Sequence, residues 1–285
     1  MIKLFASDLD GTLLNAMHET DGFIRRAIGE VIDAGAHVVP ATGRAYPPAG
    51  PHGFDGLAVE TVCANGSIVR GRNGELLHAS TIDKAFIEEL LKEFPQICFS
   101  FVAPEGSYLN GSREQHDAGF KKDGLLQRII MRGMRSRENN PEEFHFDQDT
   151  SEILSHDICK INVRVTDGAD ERSLAAFLAD HADTVVNAPF NPVMFEITDK
   201  DVNKGASIAW LGRYLGIDES EIAVYGDGGN DIEMLKRFKH AFATKNGTDD
   251  AKAAAGTIIG SCTFHAVPKH MLVTMRTQCG HTVIE

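Results

Sequence analysis

Apolar runs that stop abruptly in polar residues constrain this chain more than any other feature. IKLFAS runs into Asp8-Leu-Asp10-Gly-Thr-Leu-Leu and AHVVPA into Thr42-Gly43-Arg44. LAVETVC runs into Ala64-Asn65-Gly66-Ser67, and EIAVY into Gly226-Asp227-Gly-Gly-Asn230-Asp231. Short continuous apolar runs bounded by turn residues suit strands buried on both faces, which occur in parallel sheets. A helix is expected between the first two runs. In HETDGFIRRAIGEVIDAG, Phe23, Ala27, Ile28, Val31 and Ile32 share a face, Thr20 or Asp21 can cap the start and Gly35 suits the end. Strand, helix, strand is a βαβ unit.

The same rhythm returns from Asn203. NKGASIAWLGRYLG reads as a helix with Ala206, Ala209, Trp210 and Leu215 facing inward, and EIAVYGD as a strand. NDIEMLKRF is then a helix, HAFAT a strand, and AKAAAGTII a further helix and strand. The middle of the chain differs. FIEELLKEF and RSLAAFLADH are amphipathic, while ICFSFVA, CKINVRV, ADTVVNA and VMFEIT read as strands. That mixture predicts an antiparallel sheet with helices on one face. Residues 105–157 are polar and weakly periodic. The expected architecture is α/β, a Rossmann-like parallel-sheet core with helices on both faces plus an inserted α+β cap domain. Its core would comprise residues 1–82 and 197–285 and its cap 83–196.

The chain has 285 residues, enough for two domains. With 28 Lys and Arg against 41 Asp and Glu, its formal net charge is -13. No basic run accompanies that balance, which argues against sequence-independent nucleic-acid binding. The five cysteines are scattered and never form a CxxC pair, so neither a disulfide framework nor a Cys-based zinc site is expected. No long apolar stretch suggests a membrane span, the amino terminus begins in a strand rather than a signal peptide, and a reducing cytoplasm is the expected location. The twelve histidines, with no HExxH, read as surface or packing residues. Trp210, Phe238 and the methionines read as core.

In an open parallel sheet, ligands bind outside the carboxyl ends of the strands. The polar clusters Asp8/Asp10, Thr42-Gly43-Arg44, Lys204-Gly205 and Asp227…Asn230-Asp231 can therefore converge. Several carboxylates gathered around one lysine and one threonine call for a hard divalent cation such as Mg²⁺. The lysine, the hydroxyl and glycine-loop amides suit phosphoryl oxygens. Such a combination fits phosphoryl transfer. The bland alternatives are an Asp-Gly turn at Asp10-Gly11 and a turn and helix cap at Asp227 and Asp231.

The ordered set resembles the haloacid dehalogenase-like hydrolase superfamily. DLDGTLL is similar to its first motif, VVPATGR to its second, VNKG to its third and YGDGGND to its fourth. An insertion between the second and third motifs resembles the Cof-type phosphatase subgroup with a type-two cap. The resemblance implies Asp8 as a nucleophile forming an aspartyl-phosphate and Asp10 as proton donor and then base. It implies Mg²⁺ held by Asp8, Asp227 and the backbone carbonyl of Asp10, with Asp231 orienting Lys204 or a metal-bound water. It also implies phosphate contacts from Thr42, Gly43, Lys204 and Asn230. Arg44 and Asn65 are further candidates for substrate contact.

The implied activity is Mg²⁺-dependent hydrolysis of a small phosphorylated metabolite, a sugar phosphate being favoured, by a monomer or small homo-oligomer. Arg113, Lys121, Lys122, Arg128 and Arg132 are cap cations that either select substrate or form a solvated face. The alternatives are a phosphotransferase or mutase of the same superfamily, and a non-catalytic phosphoacceptor or metabolite-binding module. The sequence departs from the family at Gly228-Gly229, at Ala-Thr-Lys245-Asn-Gly, and over residues 262–285, which match its pattern poorly.

Overall fold

The computed structural model describes residues 1–45, 53–119, 144–188 and 194–278. The chain divides into two compact units, Met1–His78 with Val202–Glu285, and Ala79–Asp201.

In the first unit, β1 (Leu4–Ser7), β2 (His37–Pro40), β12 (Ile222–Gly226), β13 (His240–Ala243) and β14 (Thr257–Ile258) form one parallel sheet. Its order is β14-β13-β12-β1-β2. Alternate residues of each strand point to opposite faces, and both faces are covered. Phe5, Val38, Ala223 and Tyr225 pack under α1 (Gly22–Asp33) and α9 (Ala266–Gln278). Leu4, Ala6, Val39 and Val224 pack under α6 (Lys204–Tyr214), α7 (Ile232–Arg237) and α8 (Asp249–Ala255). Burial on both sides explains why the strands read as continuous apolar runs.

From β1 the chain passes through α1 to β2 on one side, whereas α6 leads to β12 on the other. The direction of winding reverses between β1 and β12, and that reversal opens a crevice at their carboxyl ends. A smaller sheet, β3 (Thr61–Cys63), β4 (Ile68–Arg70) and β5 (Leu76–Ala79), joins the β2 side through a parallel bridge between Ala41 and Val62.

Helix α1 begins where Asp21 accepts hydrogen bonds from the amides of Phe23 and Ile24. Its buried residues are Ile24, Ala27, Ile28 and Val31, an i, i+3, i+4, i+7 stripe. The expected inward Phe23 is half-buried instead and lies against the His265 ring. Trp210 also departs from a core role: it is half-buried, stacked between His78 and Tyr214. Phe238 is in the core as expected. Beyond residue 262, a short turn leads into α9, whose Val267, Met271 and Met275 join the α1 side of the core.

The second unit carries β6 (Ser100–Ala103), β7 (Gly106–Leu109), β8 (Phe144–His145), β9 (Lys160–Val163), β10 (Val185–Asn187) and β11 (Phe195–Asp199). They form one sheet in the order β10-β11-β9-β6-β7-β8, antiparallel except for the β7–β8 pair. One face packs against α2 (Lys84–Glu93), α4 (Thr150–Ser155) and α5 (Gly168–Asp180) through Phe86, Leu90, Ile153, Leu174 and Leu178. This is the α+β arrangement expected of the insertion. The short α3 (Arg113–Ala118) starts with a reciprocal cap between Ser112 and Gln115. On it, the Arg113 guanidinium lies 4.5 Å from the centre of the Phe146 ring. Lys121, Lys122, Arg128 and Arg132 lie outside the described residues, as do residues 279–285. Among the described residues, no helix is long and apolar enough to cross a membrane.

Candidate active site

Asp8 follows the last residue of β1, and its amide donates to the Tyr225 carbonyl of neighbouring β12. The chain then makes one wide turn over Leu9–Leu13, closed by amides bonding five residues back, Leu13 to Asp8 and Leu14 to Leu9. This turn returns Asp10 and Thr12 to the strand end that Asp8 occupies. Gly11 makes it possible: its φ is +80°, and a Cβ there would lie 2.2 Å from Asp227 Oδ2. Thr12 Oγ1 donates to Asp227 Oδ1 at 2.9 Å, tying the turn to the end of β12. On the other side, Asn246 Nδ2 and Thr244 Oγ1 donate to the Gly11 carbonyl at 2.7 and 3.3 Å.

Lys204 opens α6 and is buried. Its Nζ donates to Asp8 Oδ1 at 2.6 Å and to Asp231 Oδ1 at 2.7 Å. A cation at a helix amino terminus is disfavoured by the helix dipole, and these two carboxylates answer it. The helix reaches so deep because Gly205 lies against α7, where a Cβ would come within 2.9 Å of Met234 Cα. Asp231 also holds the β12 loop, since its Oδ2 accepts from the amides of Asp227 and Gly228 at 2.9 and 3.0 Å.

The carboxylates of Asp8, Asp227 and Asp231 offer oxygens that all lie within 4.8 Å of one another. Among the described residues one ammonium faces these three acids, and the consequences appear in the proton affinities of Lys204, Asp8 and Asp227. Burial works against the charge of Lys204, but Asp231 and then Asp8 outweigh it and hold the ammonium above the ordinary lysine range. Burial pushes Asp8 well above the usual carboxylate range; Lys204 opposes this while Asp231 and Asp227 add to it. Asp227 is raised to about 6, chiefly by burial and next by Asp231. Asp8 Oδ2 is buried without a hydrogen-bond partner among the described residues. An orphaned carboxylate oxygen beside two more acids is what a divalent cation would satisfy, and hard oxygen donors are the ligands such a cation takes. The residues present therefore fit the metal that the sequence implied.

The Asp10 carboxylate is engaged elsewhere. Arg44 grips it as a fork, Nε to Oδ2 at 2.9 Å and Nη2 to Oδ1 at 2.6 Å. His18 Nδ1 lies 2.8 Å from the same Oδ1. Burial raises Asp10, but the His18 hydrogen bond and Arg44 prevail and hold it below its ordinary value. His18 is raised in turn, first by that hydrogen bond.

Thr42 is buried just beyond β2; its amide donates to the Val62 carbonyl and its hydroxyl accepts from the Arg44 amide at 3.1 Å. Gly43 lies between Thr42 and Arg44 on the same loop. Asn230 Nδ2 donates to Asn65 Oδ1 at 3.2 Å, and the Asn65 amide donates to the Thr42 carbonyl. The structure thus gathers Lys204 with Asp8, Asp227 and Asp231, and links Asp10 through Arg44 to Thr42, Asn65 and Asn230. Sequence reasoning passed over His18, Asn246 and the hydroxyl of Thr12. Thr12 and Asn246 stand beside strand ends, where position alone was a signal. His18 carried none.

A model of the haloacid dehalogenase-like hydrolase family matches residues 5–271. Phosphatase YwpJ of Bacillus subtilis (strain 168) is 26% identical over 286 residues, spanning 95% of this chain and 100% of the relative. A haloacid dehalogenase-like hydrolase structure from B. subtilis matches with a TM-score of 0.79 at 24% identity, covering 95% of this chain and 99% of that one. A subclass IIB sugar phosphatase matches with a TM-score of 0.72 at 19% identity, covering 98% and 100%. At these identities the two structural likenesses establish the fold.

Proposed function

This chain belongs to the haloacid dehalogenase-like hydrolases, among the Cof-type phosphatases, and on that premise we propose that it is a Mg²⁺-dependent phosphomonoester hydrolase acting on small phosphorylated metabolites. The observation that carries the reading is Asp8: a carboxylate at the crevice, one oxygen held by Lys204 and the other buried without a partner among the described residues. Sugar phosphates are the favoured substrates, supported by the sugar phosphatase among the structural neighbours. The second unit is the proposed substrate-selecting cap, and the cytoplasm the proposed location.

Mg²⁺ would be held by Asp8, Asp227 and the Asp10 carbonyl with Asp231 alongside, where it would neutralise charge on the carboxylates and the phosphoryl group. In the first step an Asp8 carboxylate oxygen forms a bond to phosphorus as the ester oxygen leaves, and Asp10 gives that oxygen its proton. In the second, water adds to phosphorus, Asp10 takes the water's proton, and the bond to Asp8 breaks to release phosphate. Lys204, the Thr42 hydroxyl, the Gly43 amide and Asn230 would bind the phosphoryl oxygens, as charge-assisted and neutral donors suited to them. Lys204 would also keep the Asp8 carboxylate fixed in position while charge moves.

The test is phosphate release from sugar phosphates, nucleotides and an aryl phosphate, with Mg²⁺ or with EDTA, beside Asp8→Asn. Release that needs the metal and vanishes in the variant supports the reading. Folded, Mg²⁺-binding protein that releases phosphate from none of them contradicts it.

A further inference from the structure

We propose that His18 is a positioning residue for Asp10, fixing which carboxylate oxygen handles the proton. The inference rests on reading Asp10 as the acid and base of the reaction.

His18 sits in a left-handed conformation with φ +58°, uncommon for a residue with a Cβ although histidine adopts it more readily than most. With 38% of its side chain exposed, it adds little to any core. Strain at an exposed residue persists only where its surroundings enforce it, and here they do. The Asn15 amide donates to the Glu19 carbonyl at 3.1 Å, and the His18 amide to the Asn15 carbonyl at 2.9 Å. Asn15 Oδ1 accepts from the amides of Met17 and Glu19 at 2.9 and 3.1 Å. Asn15 Nδ2 donates to Asp21 Oδ2 at 3.3 Å, and the same oxygen pairs with His265 Nε2 at 2.6 Å. Asp21 in turn caps α1. The turn is therefore anchored both to α1 and to the residue preceding α9, and the ring it presents meets Asp10.

What the ring does there follows from counting acceptor sites. An ionised carboxylate oxygen has two lone-pair positions. Asp10 Oδ1 takes Arg44 Nη2 at 2.6 Å and His18 Nδ1 at 2.8 Å, which fills it. Among the described residues Asp10 Oδ2 takes Arg44 Nε alone, at 2.9 Å, which leaves one position. His18 thus makes the two oxygens inequivalent, and Oδ2 becomes the one that gives and receives the proton. Two donors on separate loops also restrict the rotation of the carboxylate, and proton transfer is sensitive to such placement.

The experiment compares wild type with His18→Ala, His18→Gly, His18→Asn and Asp10→Asn, using glucose 6-phosphate and p-nitrophenyl phosphate with saturating Mg²⁺. Asparagine sets an amide nitrogen where Nδ1 stands and tolerates the same backbone, so His18→Asn is expected to restore kcat to within about threefold of wild type. His18→Ala is expected to lower kcat by about 10- to 100-fold with KM within about twofold. Glucose 6-phosphate is expected to suffer more than the aryl ester, whose leaving group needs less help from an acid. His18→Gly relieves the backbone strain, so its melting temperature should match or exceed wild type while kcat falls as in His18→Ala. A role in folding alone would instead move kcat and melting temperature together. If Asp10→Asn is inactive but His18→Ala and His18→Gly keep wild-type kcat, the inference about His18 is wrong and the reading of Asp10 stands. If Asp10→Asn itself turns over at the wild-type rate, the reading beneath the inference fails, and the inference with it.

Discussion

Lys204 Nζ stands 2.6 Å from Asp8 Oδ1, joining residues 196 positions apart in the chain. The ammonium is buried and also holds Asp231 at 2.7 Å, so it is the counter-charge for two interior acids. Breaking a buried ion pair by removing one partner leaves an uncompensated charge, typically at a cost of about 3–5 kcal/mol. Lys204→Met is expected to destabilise the protein by that order in urea unfolding with EDTA present. Adding Asp231→Asn should recover part of the loss, because one stranded charge is then gone. A loss under about 1 kcal/mol would show that the cluster is not held together by this lysine.

Gly11→Ala tests the close approach between the turn after Asp8 and the loop that carries Asp227. The new Cβ would fall 2.2 Å from Asp227 Oδ2 in a backbone conformation with φ +80°, so either the turn or the carboxylate must shift. Both carry proposed metal ligands. Calorimetric titration with Mg²⁺ should show at least a tenfold weaker affinity, about 1.4 kcal/mol. Unchanged affinity in folded protein would mean that this contact does not set the metal site.

Asp227 gives the stability of the metal-free protein a distinctive pH dependence. Its folded-state pKa is about 6 against an ordinary value of 3.8, so the folded chain binds this proton more tightly than the unfolded chain. The corresponding stabilisation is complete below the lower value and is lost as pH rises through about 6. Allowing for solvent reaching the partly exposed carboxyl, the swing is on the order of 2 kcal/mol. Unfolding of wild type and Asp227→Asn in EDTA between about pH 4 and 7 should show wild type losing ground to the variant as pH rises. Saturating Mg²⁺ should reverse the trend, because the cation binds ionised carboxylates. A flat difference in EDTA would contradict the electrostatic account of the cluster.

Arg44 tests the other carboxylate. Arg44→Lys keeps a positive charge near Asp10 but cannot reproduce the two-pronged grip of Nε and Nη2. Steady-state kinetics should show kcat reduced by about tenfold or more. Wild-type kcat in Arg44→Lys would indicate that charge alone suffices there.

The sequence was most legible where one rule covered several residues. Apolar runs ending in polar loops revealed the parallel sheet and the crevice, because burial on both faces leaves few other choices of side chain. Lys204 at a helix start pointed to anionic partners, and both are present. The reading failed where structure depends on partners remote in sequence. Strand β7 and the two-residue β8 lie in a polar stretch without usable alternation, and pairing across the sheet makes them strands. Trp210 owes its half-buried position to rings from His78 and Tyr214, the first far away in the chain. The contact between His18 and Asp10 depends on a turn with positive φ, which neither periodicity nor motif spacing encodes. Ser112 and Gln115 are a different case: their spacing is a capping signature that was present in the sequence.

The most direct test of the central claim is to look for phosphate on Asp8 itself. Protein mixed with ³²P-labelled substrate and Mg²⁺ would be quenched in acid within one turnover and mapped by peptide, beside Asp8→Asn and Asp10→Asn. The account predicts label on the peptide containing Asp8, released by hydroxylamine, absent in Asp8→Asn and longer-lived in Asp10→Asn because the hydrolytic base is missing. Phosphate release without label at Asp8, together with an active Asp8→Asn variant, would contradict it.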